Sequence, residues 1–244
     1  LEIMTKKKLC LLIVIVFCNL ITMVPSTNMA QSTTVFKYGI GSFPQTLDPH
    51  HAWDSTSIAI LDQVMEGLLA YNLTDPEMAI IPRLATDLGT WEGTNITFTL
   101  RRNVTFHDGT PFNASCVKYS FDRLANLILL KKAQIAELYE PLAQLYPSTP
   151  LVINETIILD EYAVKFVLNY PFTAFTALLC FSGSYIVHPE MPFDRRILLN
   201  ETLIGTGPFV LESYTNQETT FSAYDEYWGE APEIRDMIWI LYND

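Results

Sequence analysis

From Ile96 to Arg101 apolar and polar residues alternate, with Ile96, Phe98 and Leu100 set against Thr97, Thr99 and Arg101. That period of two predicts a half-buried strand. Val104-Thr105-Phe106 predicts a second, short strand; Asp108-Gly109 after it supplies the positive φ of a tight turn, and Pro111 fixes the exit. Asn113 then caps a predicted helix in which Val117, Phe121 and Leu124 recur on one face. The helical pattern runs from about Cys116 to Leu145, with Lys131 and Lys132 on its wet side and Pro141 interrupting it. Upstream, Val35 to Ile40 reads as a strand rich in β-branched and aromatic residues. Asp54 or Ser55 caps the next helix, whose apolar face carries Ile58, Leu61, Met65, Leu68 and Leu69 until Tyr71-Asn72 ends it. Downstream, Thr156 to Leu159 and Tyr162 to Leu168 form a predicted hairpin around Asp160-Glu161, with Val164, Phe166 and Leu168 on one face. Phe172 to Phe181 predicts a buried helix, too short to cross a bilayer. Met237 to Tyr242 predicts a continuous apolar strand of the buried kind.

The first thirty residues stand outside this pattern. Lys6, Lys7 and Lys8 precede an apolar run from Leu9 to Val24, then Pro25-Ser26-Thr27 and a small residue, Ala30. That is the layout of a secretory leader, with Met4 as the expected start. The run is interrupted by Cys18-Asn19 and falls short of the roughly 20 residues of a spanning helix. Bulky Phe17 stands where lipid attachment at Cys18 would need a small residue. The expectation is an exported protein, extracellular or periplasmic, with the leader either cut or kept as a tether to the outer face of the membrane. Cleavage after Ala30 would remove Glu2 and three lysines, leaving 12 basic and 26 acidic residues and a net charge of −14. So acidic a chain argues against nucleic-acid or anionic-membrane partners, which need basic patches.

Cys116 and Cys180 remain, too few for a disulfide framework and wrongly spaced for zinc. In an oxidising compartment they either pair or stay as two buried thiols. Six Asn-x-Ser/Thr triplets, at Asn72, Asn95, Asn103, Asn113, Asn154 and Asn200, are candidate N-glycosylation sites and agree with export.

Several of these stretches resemble the extracellular solute-binding proteins of the dipeptide and oligopeptide type, family 5, the receptors of peptide ABC importers. Leu47-Asp48-Pro49 after the first strand, Glu66-Gly67-Leu68, Pro82-Arg83-Leu84-Ala85, Leu100-Arg101 and Phe106-His107-Asp108-Gly109-Thr110-Pro111 match that pattern. So do Gly205-Thr206-Gly207-Pro208-Phe209 and Tyr227-Trp228-Gly229 with Pro232. The departure is Cys116, where the family usually has Asp; there an acid would complete a capping box, and the helix should survive without it. The resemblance implies an α/β, periplasmic-binding-protein-like (type II) lobe with an inserted subdomain. Residues 31–69 and 172–244 would form the first lobe and 70–171 the insertion. The resemblance spans only the first half of the family's length, so a second lobe would lie beyond this chain, and a strand that normally pairs with the returning chain would be left with an open apolar edge. It implies binding and not catalysis, a peptide ligand, membrane permease subunits as partners, and no cofactor. This chain alone would then bind peptide weakly or not at all.

Ligand contact is expected at His51, Ala52, Trp53, Asp54 and Ser55. A loop between core strand and helix places backbone donors at a cleft mouth, where an extended peptide pairs by strand addition, and Trp53 would be an aromatic wall. The competing assignment makes Trp53 ordinary packing and His50-His51 a solvated turn. Within the same fold, a receptor for a sugar oligomer, haem or a nickel chelate stays open, His50 and His51 keeping a metal in view, although adjacent side chains diverge. A secreted hydrolase is disfavoured by the lack of a G-x-S-x-G elbow or an H-E-x-x-H helix, and a glycosylated surface protein rests on leader and sequons alone. The glycines at 205 and 207 have no phosphate-loop spacing and are read as allowing a tight strand entry.

Overall fold

A computed structural model describes residues 35–132 and 151–242. The leader, the distal half of the long helical stretch with Pro141, and the prolines that follow it lie outside the described residues. Among the described residues, three sheets carry the chain. The first has strand order β1-β10-β9-β8. In it β1 (Val35–Ile40) runs parallel to β10 (Asp236–Leu241), while β9 (Glu218–Ala223) is antiparallel to both β10 and β8 (Phe209–Tyr214). A two-stranded sheet pairs β2 (Leu69–Tyr71) with β3 (Ile80–Pro82). The third is an antiparallel sheet with order β4-β5-β7-β6, built from Thr90–Glu92, Asn95–Thr99, Ala163–Leu168 and Ile153–Asp160 respectively.

Two cores follow from these sheets. Helix α1 (Ser55–Val64) presents Ile60, Leu61 and Val64 to Phe209, Phe221, Met237 and Trp239 of the first sheet. Helix α2 (Ala114–Lys132) covers the third sheet, bringing Val117, Phe121 and Leu124 against Phe98 and Phe166. Phe166 makes edge-on ring contacts with Phe98, Phe121 and Phe175 at centroid distances of 6.1, 4.8 and 5.4 Å, the geometry aromatic quadrupoles favour. The alternation expected at Ile96, Phe98 and Leu100 is met, since all three are buried.

Four expectations need correction. Helix α1 ends at Val64, and Met65 already has extended φ/ψ. Leu68 and Leu69 are buried as expected, but Leu68 lies in a bend and Leu69 opens β2, with the carbonyls of Gly67 and Leu68 accepting from Leu84, Arg83 and Ala85 instead of from a following helical turn. Phe172 to Phe181 contains only a four-residue helix, α3 (Phe175–Leu178), followed by a 3-10 turn at Ser182–Ser184. Val104 to Phe106 is no strand but an isolated bridge from Thr105 to Pro111 closing the turn, in which Gly109 has φ +86°. Strand β10 buries only Met237 and Trp239, so it is apolar on both faces yet covered on one. Cys116 and Cys180 are separate, buried, free thiols.

Candidate functional site

The loop after β1 is built on one carboxylate. The Asp48 carbonyl accepts the His51 and Ala52 amides, and its side chain, wholly buried, accepts the His50 amide at 2.9 Å and the Ile197 amide at 2.9 Å. Arg123 of α2 reaches across with Nη2 2.5 Å and Nη1 3.1 Å from the two carboxylate oxygens. The remaining guanidinium donors go to the Pro192 and Arg195 carbonyls and, at 2.6 Å, to His50 Nδ1. Burial alone would raise the Asp48 pKa; the His51 hydrogen bond and the Arg123 charge outweigh it and hold the carboxyl below its ordinary value. Burial first, then the Arg123 charge, push His50 down to about 3.

His50 therefore stays neutral in the fold where an unfolded chain would already carry the proton. Stability is expected to fall as pH drops from the ordinary histidine value of 6.5 toward 3, at up to about 1.4 kcal/mol per pH unit. Urea midpoints at pH 7, 6 and 5 measure the slope. His50→Asn, whose amide oxygen keeps an acceptor for Arg123, should flatten it, and an unchanged slope would show that His50 is not the cause.

A second buried carboxylate gathers the remaining motifs. Glu66 accepts Arg83 Nε at 2.6 Å and the Tyr227 hydroxyl at 2.8 Å on Oε1. On Oε2 it accepts Trp228 Nε1 at 2.7 Å and Thr206 Oγ1 at 2.9 Å. The Arg83 and Arg101 guanidiniums lie 5.3 and 4.5 Å from the Trp228 ring centre, two cation–π contacts on one indole. Gly205 and Gly207 fit against the end of α1: a Cβ on Gly205 would sit 1.9 Å from the Val64 carbonyl oxygen, and the Gly207 amide donates to that oxygen at 2.9 Å. These glycines thus serve close approach to a helix rather than strand entry.

Above this hub lies a groove of about 630 Å³. Its walls are Ile58 and Asp62 on one face of α1, Met65 just after that helix, strand β2, Ile81 and Arg83, and the segment from Ala174 to Tyr185. Most of its lining is apolar. Trp53 stands at the rim, 41% exposed and edge-on to Phe181 at 5.6 Å. The Tyr185 hydroxyl donates to Asp62 Oδ1 at 2.5 Å. Burial raises the pKa of both groups, and for Tyr185 the Asp62 charge adds to the effect. Cys180 also lines the groove, its thiol pushed by burial up to about 11.

The structure distributes the five expected contact residues unevenly. Trp53 lines the groove, Ser55 is exposed, and Asp54 caps α1 by accepting the Ser57 amide at 2.9 Å. His51 and Ala52 are buried, His51 Nδ1 lying 3.9 Å from Asp48. His50 and His51 thus belong to the Asp48 cluster, and among the described residues no group of three His, Cys, Asp or Glu side chains could hold a metal ion. His107 is held by backbone, its Nε2 3.0 Å from the Gly207 carbonyl, and Asp108 closes its own turn by accepting from Thr110. Asn113 spends its side-chain oxygen on Ser115, whereas Asn103, Asn154 and Asn200 are exposed. Sequence reasoning passed over Glu66, Asp62, Arg123 and Tyr185 as site groups. Only Glu66 carried a signal, inside Glu66-Gly67-Leu68.

Residues 79–244 match the family model described as bacterial extracellular solute-binding proteins, family 5 middle. The chain is 29% identical over 208 residues to a glutathione-binding protein, GsiB, of Salmonella choleraesuis, an alignment covering 84% of this chain and 38% of that protein. It is 30% identical over 230 residues to the probable D,D-dipeptide-binding periplasmic protein DdpA of Escherichia coli K12, covering 88% and 41%. Among solved structures, the dipeptide-binding protein of Pseudoalteromonas sp. SM9913 in complex with Met-Leu superposes with a TM-score of 0.73 at 20% identity, covering 86% of this chain and 44% of that one. That likeness establishes a shared fold. The chain spans about two fifths of the length of the curated relatives it matches. These relatives are solute-binding proteins and not enzymes, which removes the support for a hydrolase.

Proposed function

The chain belongs to the bacterial extracellular solute-binding proteins of family 5, and from that premise we propose that it is the amino-terminal portion of a peptide receptor serving an ABC importer in the cell envelope. The observation that carries this reading is the groove itself. Its floor includes β2, which pairs only with β3 among the described strands and so leaves a backbone edge open. An extended dipeptide or tripeptide adds to such an edge through main-chain hydrogen bonds, while the apolar walls accept varied side chains. Relatives named for glutathione and for dipeptides support short peptides as the ligand class.

In this reading residues 31–69 and 172–244 act as the first lobe and 70–171 as an inserted subdomain. The pairing of β1 with β10, distant in sequence, and the separate β4-β5-β7-β6 sheet support that division. A second lobe closes over the ligand by a hinge and presents it to membrane permease subunits. The protein is exported to the periplasm or cell exterior to do so.

Isothermal titration of the full gene product tests this, with dipeptides, tripeptides and glutathione set against a sugar oligomer, haem and a nickel chelate. The peptides should bind and the other solutes should not. Trp53→Ala, which removes a large rim aromatic, should weaken peptide binding about tenfold or more. Binding of only a non-peptide solute would overturn the reading.

A further inference from the structure

An extended peptide lying along β2 pairs only the main-chain groups that face that strand. The N–H and C=O groups that alternate to the other side need partners of their own once water is excluded. The other walls offer few. Glu66 already accepts from Arg83, Thr206, Tyr227 and Trp228, Arg83 is held by Glu66 and the Tyr227 hydroxyl, and Asp62 accepts from Tyr185. Ser182 differs. It stands in the 3-10 turn Ser182–Ser184 and lines the groove, yet it is only 1% exposed and its Oγ is buried without a hydrogen-bond partner among the described residues. Ser184 in the same turn donates its hydroxyl to the Leu178 carbonyl at 2.6 Å, so the turn commits one hydroxyl to the fold and leaves the other unused. Among the described residues the second buried hydroxyl in this condition, Thr156 on β6, does not line the groove. A buried hydroxyl without a partner destabilises the unliganded fold, and a ligand that supplies the partner removes that penalty. A serine needs one step of χ1 between staggered positions to turn its oxygen toward a ligand.

We propose that Ser182 is a specificity-determining residue of the groove, its hydroxyl bonding a main-chain amide group of the peptide on the side turned away from β2. The inference rests on the peptide reading above and deepens it: the wall from Ala174 to Tyr185 reads the ligand's backbone through this one hydroxyl. Because a hydroxyl both donates and accepts, it serves either an N–H or a C=O. The bond is indifferent to the ligand's side chains and so compatible with varied peptides.

The test is Ser182→Ala in the full gene product, read in two ways. Isothermal titration with a dipeptide should show binding about 5- to 10-fold weaker than wild type, the loss of one neutral hydrogen bond. Urea unfolding of the same variant without ligand should give a midpoint equal to or above that of wild type, because the hydroxyl bonds nothing in the unliganded fold. Thr156→Val, which removes the other unpartnered hydroxyl, should keep or raise the midpoint in the same way and leave peptide affinity unchanged. If Ser182→Ala binds the dipeptide as wild type does, or lowers the unliganded midpoint as the loss of a supporting hydrogen bond would, the assignment is wrong while the peptide reading stands. Equal weakening by Thr156→Val would also overturn it, since the effect would then not belong to the groove. If wild type binds no peptide, both fall together.

Discussion

Arg123→Met is expected to destabilise the protein by about 3–5 kcal/mol, the usual cost of stripping one partner from a buried ion pair. Both side chains of the pair are fully buried, and the guanidinium satisfies Asp48, His50 and the Pro192 and Arg195 carbonyls together. The loss spreads across three segments, since the loop after β1, helix α2 and the stretch around Ile197 all meet at this point. Asp48 would be left charged and buried with its strongest counter-charge gone. Thermal unfolding should show a fall of roughly 10 °C, taking about 2–4 °C per kcal/mol for a chain of this size. Adding Asp48→Asn to Arg123→Met should recover part of that loss, because the stranded charge goes with it. A single variant as stable as wild type would mean that Arg123 contributes no more than an exposed pair.

Gly205→Ala is the second large effect. A Cβ there would lie 1.9 Å from the Val64 carbonyl oxygen and 2.8 Å from its carbon. Neither is the tip of a flexible side chain, so either helix α1 or the 205–208 segment must shift. Because Val64 directly precedes Met65 and Glu66, that shift would also loosen the Glu66 hub and the groove floor. Overpacking of a well-filled site costs about 1–3 kcal/mol and at times more, and a backbone obstruction belongs at the upper end. Gly41→Ala is the control, since nothing lies within 4 Å of its added carbon. Urea unfolding should separate the two variants by about 3 kcal/mol, and equal midpoints would contradict the close approach at Gly205.

Most of the fold was legible because its signals are local. The alternation at Ile96, Phe98 and Leu100, the 163–168 arm and the helical spacing at Val117, Phe121 and Leu124 each mark which face is buried, and each face is buried. The turn at Asp108-Gly109 followed from glycine's freedom at positive φ. What could not be read was decided across the chain. Leu68 and Leu69 sit at helical spacing after Met65, yet their backbone pairs with the Pro82 to Ala85 segment instead, tertiary pairing overriding a short helical pattern. Phe172 to Phe181 is apolar throughout, and composition without period does not separate a helix from a packed turn.

The site was legible to a lesser extent for the same reason. Trp53 stood out in sequence as an aromatic on a loop between strand and helix, with packing as the alternative use, and it lines the groove. Asp62, Glu66 and Tyr185 converge from two segments more than a hundred residues apart, and nothing in the spacing foretells it. His50 and His51 looked like ligands in sequence because the buried arginine that occupies His50 lies 73 residues away. Several family motifs share one hub: Glu66-Gly67, Arg83, Thr206 and Tyr227-Trp228 meet at one carboxylate, and Glu66, Gly67 and Arg83 also line the groove.

The central claim, that this groove is where a peptide lies, is tested most directly by hydrogen–deuterium exchange on the full gene product with and without a saturating dipeptide. The account predicts slowed exchange at the Trp53 loop, along β2 and between Ala174 and Tyr185, the segments that wall the groove. Unchanged exchange in all three, with protection confined to the separate hollow of about 310 Å³ lined by His188, Arg195 and Glu201, would contradict it.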